Sequence, residues 1–103
     1  MSHDARPLLV FFTHARSGPA RRMESLLAHI ARKERERLRV LRVDVDNRPD
    51  LASRFEVEDV PTLVLVRERH VVARAAGRAS APRIEEMLEP YLGEPVASGA
   101  PAG

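Results

Sequence analysis

A chain of 103 residues, 44% hydrophobic and 31% charged, has the balance of one folded domain with a single apolar core. It contains no cysteine, which excludes disulfides, thiolate metal sites, cysteine nucleophiles and thiol redox chemistry by this chain alone. The 17 Lys+Arg and 15 Asp+Glu leave a formal net charge of +2, and the pI near 9.9 reflects arginine, since Lys33 is the one lysine.

The charges alternate in sign along the chain, as in Lys33-Glu34-Arg35-Glu36-Arg37 and Arg67-Glu68-Arg69. That pattern describes solvated helix ends and turns, not a stripe that tracks phosphates. Phe11, Phe12, Phe55 and Tyr91 are the only aromatics, too few for a base-stacking platform, so nucleic acid is not an expected partner. No apolar run approaches the roughly 20 residues that span a bilayer, and the residues before Pro7 do not form a signal peptide. The expectation is a cytoplasmic protein without a membrane partner.

Leu8-Leu9-Val10-Phe11-Phe12 is a continuous apolar run of β-formers, the pattern of a strand buried on both faces. Ser17 then precedes Gly18-Pro19 as an N-cap with proline in the first turn, and Met23, Leu26, Leu27 and Ile30 recur at helical spacing up to Arg32-Lys33. Leu38 to Val45 mixes Val40, Leu41, Val43 and Val45 with Arg39, Arg42 and Asp44, a partly exposed strand. Asn47-Arg48-Pro49-Asp50 repeats the cap and early proline, opening a short helix to about Phe55. Val60 to Val66 is a second apolar strand with Pro61 at its entry; Arg67 to His70 turns it into a hairpin arm, Val71 to Ala75, ending near Gly77. Ser80 caps a last helix with Pro82 in its first turn and Ile84, Met87, Leu88 and Tyr91 on one face. Residues 1–6 and the Gly/Pro/Ala-rich residues 93–103 lack apolar groups to repay ordering, so flexible ends flanking a domain over 7–92 are expected. The βαβαββα order predicts an α/β fold: a mixed four-stranded sheet with helices on both faces.

Several segments in this order carry a family likeness. Pro7 to Phe12, Ser17-Gly18-Pro19-Ala20 at a helix head, Val43-Asp44-Val45-Asp46 before Arg48-Pro49, Phe55-Glu56-Val57, Val60-Pro61-Thr62-Leu63 and Gly77 together resemble thioredoxin. The resemblance runs from Pro7 to Leu92 and implies a thioredoxin fold reduced to its minimal core, without the usual N-terminal strand and helix. It also implies that the active-site turn, Trp-Cys-Gly-Pro-Cys in thioredoxins, stands here as Arg16-Ser17-Gly18-Pro19-Ala20. Ser17 replaces the attacking thiol with a hydroxyl, and Ala20 has no atom with which to resolve a mixed disulfide. The family's buried acid falls at Phe11, which is coherent, because a buried carboxylate with no proton to move only costs desolvation. Thiol-disulfide oxidoreductase activity, a catalytic residue and a cofactor are therefore not expected.

The resemblance further implies a cis bond from Val60 to Pro61 and a groove in which the Val60 backbone pairs with an extended polypeptide. Matched position by position, that groove comprises Arg16, Val45, Asp59, Val60, Pro61, Ala76, Gly77 and Arg78. Arg16, Asp59 and Arg78 make its rim more charged than a promiscuous thioredoxin's, which favours electrostatic selection of partners. The plain alternative is surface charge on a relict site.

Two other functions stay open. Ser17 at a helix N-terminus could hold glutathione or another anion, against the simpler reading that its hydroxyl caps the helix. Alternatively, without a preceding strand, Leu38 to Asp44 would be a sheet edge that adds a strand from another chain or forms a homodimer in place of a monomer, although Arg39 and Arg42 are charges that discourage this. His14, three residues before Ser17, has no orienting carboxylate evident in the sequence, so a Ser-His catalyst is not favoured. His3, His29 and His70 lack ligand spacing, and no metal site is expected.

Overall fold

The computed structural model describes residues 5–93. The flexible ends expected from composition lie mostly on residues 1–4 and 94–103, outside the described residues. The elements are β1 (Leu8–Thr13), α1 (Gly18–Lys33), β2 (Arg39–Asp44), α2 (Pro49–Arg54), β3 (Thr62–Arg67), β4 (His70–Ala76) and α3 (Ala81–Leu88), which continues as a 3-10 turn over Glu89–Tyr91. Their order is the expected βαβαββα, and each lies within about two residues of its expected place.

The sheet order is β2-β1-β3-β4. β1 pairs in parallel with β2, Leu8 opposite Arg39 through Thr13 opposite Asp44, and antiparallel with β3, Phe12 opposite Thr62. Being enclosed by strands and covered on both faces, β1 has no solvent-facing position from Leu9 to Thr13, which explains its unbroken apolar run. Alternation along the strands divides the core in two. Leu9, Phe11, Leu63 and Leu65 pack with Ala20, Met23, Leu27 and Ile30 of α1 and with Ile84 and Leu88 of α3. Val10, Phe12, Val43 and Val64 point to the other face, against Leu51 and Phe55. There the Phe12 and Phe55 rings lie 5.7 Å apart at 54°, a tilted aromatic pair.

β3 starts at Thr62 and not at Val60, because the Val60–Pro61 peptide bond is cis and the chain turns there. The hairpin to β4 closes through Glu68 and Arg69 at φ 53° and 71°, the backbone of a two-residue turn that suits the twist of its strands. The expected capping of α2 by Asn47 is not formed. Its N-cap is Arg48, without a side-chain cap bond; the Asn47 and Arg48 amides both donate to the Asp44 carbonyl, at 3.0 and 2.9 Å, in the turn that leaves β2. Arg48 instead reaches forward with Nε and Nη2 to the Asp50 carboxylate. The hydrogen bond and charge from Arg48 hold the Asp50 carboxyl below its ordinary range.

One polar atom in the core is unmatched. Thr13, fully buried at the end of β1, has a hydroxyl with no hydrogen-bond partner among the described residues. A buried orphan hydroxyl costs stability that a methyl group of the same shape does not. Thr13→Val should therefore raise the unfolding free energy by about 1 kcal/mol, measured by urea denaturation; a destabilised variant would mean that the hydroxyl finds a partner in solution.

Candidate functional site

The sheet register brings the expected groove residues to one edge. β1 and β2 end there at Thr13 and Asp44, β3 begins there at Thr62, and β4 ends there at Ala76, opposite Thr62. Each groove residue follows or precedes one of these ends: Arg16 after β1, Val45 after β2, Asp59-Val60-Pro61 before β3, and Ala76-Gly77-Arg78 at and after the end of β4. The Val45 amide donates to the Thr13 carbonyl at 3.0 Å, and the Gly77 amide to the Pro61 carbonyl at 2.8 Å, so the four ends are laced together. Gly77 sits at φ +87°, where an L side chain would be strained. The Thr62 hydroxyl, directed to the opposite face from Phe11, donates to the Asp59 carbonyl at 2.6 Å and fixes the loop before Pro61. Arg16, Asp59, Ala76 and Arg78 are exposed, Val45, Val60 and Gly77 half-buried, and Pro61 buried.

Among the described residues, neither the amide nor the carbonyl of Val60 has a hydrogen-bond partner. Two backbone groups left open beside a buried proline form a short strand-like edge, and a passing extended chain can satisfy both.

The degenerate turn is closed on itself. The Ser17 hydroxyl accepts from the Ala20 amide at 3.1 Å, and the Ser17 carbonyl accepts from Arg21 at 3.0 Å. The Ser17 amide donates to the His14 carbonyl at 2.9 Å, and Pro19 has no amide hydrogen. Of the amides from Ser17 to Arg21, only that of Gly18 is left for an outside acceptor. That is a capped helix start with little left to cradle an anion. Ala20 is fully buried in the same apolar cluster as Phe11, so neither position offers a group that could carry a proton or a thiol.

Sequence reasoning missed the partner of His14. Its Nε2 lies 2.9 Å from the Asp46 carboxylate, while its Nδ1 accepts the Arg16 amide at 2.9 Å. A neutral ring with its proton on Nε2 satisfies both contacts. The carboxylate absent from the sequence reading is therefore present, and the signal was available: Thr13 pairs with Asp44 in parallel, which carries His14 and Asp46 together beyond the strand ends. Both nitrogens are spent, and the Ser17 hydroxyl is in the cap, so the pair orients no nucleophile. It ties the loop after β1 to the loop after β2 and sets the backbone direction at Arg16. Among the described residues no cluster of three or more His, Cys, Asp or Glu could hold a metal, and no helix is long and apolar enough to cross a membrane.

Ser17→Ala should cost about 1 kcal/mol of stability, the ordinary worth of such a cap, in urea denaturation; no loss would mean the hydroxyl serves something else. His14→Ala should leave the fold intact and speed hydrogen exchange at the Arg16 amide by roughly fivefold, since it removes a bond worth about 1 kcal/mol. Unchanged exchange there would show that the imidazole does not hold the turn.

Comparison with known proteins places this geometry. The family model described as Thioredoxin matches residues 1–90. A thioredoxin-like protein of Synechocystis is 32% identical over 87 residues, covering 84% of this chain and 80% of that protein. The thioredoxin of Alicyclobacillus acidocaldarius is 30% identical, covering 84% of this chain and 83% of its own. Among solved structures, the germline-specific thioredoxin Deadhead of Drosophila melanogaster superposes with a TM-score of 0.81 at 30% identity, over 86% of this chain and 84% of that one. With a matching sheet and a helix head of Ser-Gly-Pro-Ala, the chain belongs to the thioredoxin family and has no cysteine.

Proposed function

We propose that this protein is a redox-inactive thioredoxin-like domain that binds a polypeptide segment in the groove beside Pro61. The observation that carries the reading is the pair of unpartnered Val60 backbone groups, set between the charged rim residues Arg16, Asp59 and Arg78. An extended segment gains two main-chain hydrogen bonds there, and the rim charges select which segments fit. With no thiol in the chain, the occupant is held without covalent capture, so it binds reversibly and is not processed. A cytoplasmic setting agrees with the absence of cysteine but does not depend on it.

The competing assembly through β2 has some structural basis, since β2 is an edge strand and Leu41 on it is 45% exposed. Its charges argue the other way: Arg42 is turned onto Glu24 of α1 through two guanidinium hydrogen bonds, and exposed Arg39 flanks the edge. Anion capture by Ser17 is less favoured, because the cap consumes the hydroxyl.

The test is retention of a partner from extract of the producing cells, with the wild type compared with Arg16→Glu and Val40→Pro. Groove binding predicts that Arg16→Glu loses the partner and Val40→Pro keeps it, provided circular dichroism confirms that both are folded. The reverse pattern would transfer the function to the β2 edge. In an insulin-reduction assay with dithiothreitol the protein should give no rate above the reagent blank; a rate above it would overturn the redox-inactive reading.

A further inference from the structure

Beside the groove, past Gly77, lies a second depression of about 420 Å³, between the head of α1 and the segment entering α3. Its lining is Pro19, Arg22, Met23, Leu26, Arg78, Ala79 and Ser80: an apolar floor with two guanidinium walls and no carboxylate. Four cations elsewhere are met by carboxylates within the fold. Lys33 pairs with Glu85, Arg37 with Glu34, Arg42 with Glu24 and Arg48 with Asp50. Among the described residues Arg22 and Arg78 have no ion pair or side-chain hydrogen bond. Other arginines, among them Arg16, Arg21, Arg54, Arg67 and Arg69, are likewise without an ion pair, but none of them lines this depression; Arg22 and Arg78 stand apart because they flank an apolar floor with no carboxylate in its lining. A depression between the end of α1 and α3 has Glu34, Glu85, Glu86 and Glu89 against Lys33 and Arg37, an acidic excess that would repel an acidic segment.

We infer that the segment bound in the groove is acidic: it continues past Gly77 into this depression, laying an aliphatic side chain on Met23, Leu26 and Ala79 and giving carboxylates to Arg22 and Arg78. The inference rests on the groove reading and names its partner's chemistry. Arg78 belongs to both surfaces, and Gly77 before it is hydrogen-bonded to Pro61, so the groove and the depression adjoin. Arginine suits the role because its planar fork takes a carboxylate with two parallel hydrogen bonds, and two such forks over an apolar floor favour an acidic-aliphatic-acidic pattern. Asp59 stands before Val60 and Pro61, at the start of β3, and Asp46, held by His14, follows the end of β2, so neither carboxylate lines the depression. They repel acidic residues from the groove end and so orient the segment.

The test uses three pools of fluorescein-labelled dodecapeptides with random aliphatic positions flanked by Glu/Asp, by Gln/Asn or by Lys, titrated with the protein and followed by anisotropy. The acidic pool should bind at least tenfold tighter than the neutral one. Arg22→Glu with Arg78→Glu should erase that preference and favour the lysine pool; both residues are exposed, so the fold is expected to survive. Equal binding of the three pools, a preference unmoved by the double substitution, or binding of none would overturn the inference. Acidic peptides N-methylated at alternate residues separate the two readings. If methylation weakens all pools alike and charge makes no difference, the groove stands and its acidic occupant falls. If methylation leaves acidic binding unchanged, pairing with Val60 falls and so does the continuous path argued from it.

Discussion

Everything in this molecule hangs on β1 being hydrogen-bonded on both sides and covered on both faces. The strand is buried from Leu9 to Thr13, takes β2 in parallel through a crossover helix, and takes β3 antiparallel. Those two pairings force the ends of β1 and β2, the start of β3 and, through the hairpin, the end of β4 to a single rim. The groove is thus a product of topology before it is a product of any particular side chain. What the side chains add is the lacing of loops across that rim, by the Gly77 amide on Pro61, the Val45 amide on Thr13 and His14 on Asp46.

Most of this was legible from residues in order. The unbroken run Leu8 to Phe12, the Ser-Gly-Pro and Ser-Ala-Pro helix starts, and the Val-Pro-Thr entry each have a local physical cause, and local causes are what a sequence displays. The capping of α1 and α3 by Ser17 and Ser80 was legible for the same reason. Asn47 misled because α2 begins one residue later than the cap pattern suggests, with Arg48 in the cap position and Asn47 still in the turn after β2. The His14–Asp46 contact stayed hidden because its partners belong to different loops and meet only once β1 and β2 are in register. The depression lined by Arg22 and Arg78 was invisible for a related reason: its walls come from two helix approaches, separated by the whole sheet in the chain.

The turn that carries chemistry in thioredoxins has here been made into a structural device. A serine in the first thiol's place finishes a helix, an alanine in the second's is swallowed by the core, and the histidine before them serves to hold a loop. Each of these uses satisfies a group internally, so the turn has few atoms left to offer a ligand. The open atoms lie instead on the neighbouring strand end, at Val60, and on the arginines around it. The proposed binding edge and the degenerate turn thus lie on different strand ends, before β3 and after β1.

Phe11 makes thiol chemistry hard to install in this chain. It is almost fully enclosed and belongs to the same cluster as Ala20, Met23 and Leu63. A carboxylate put back at that position would be desolvated by several kcal/mol, with only aliphatic neighbours to meet it. A thiol at position 20 would need space that the close-packed interior does not hold. Thiol chemistry at this turn would therefore need changes at Phe11 and Ala20 inside the core as well as at the turn itself. Arg16, Asp59 and Arg78 on the rim are by contrast exposed, so their charges can be exchanged without disturbing that packing.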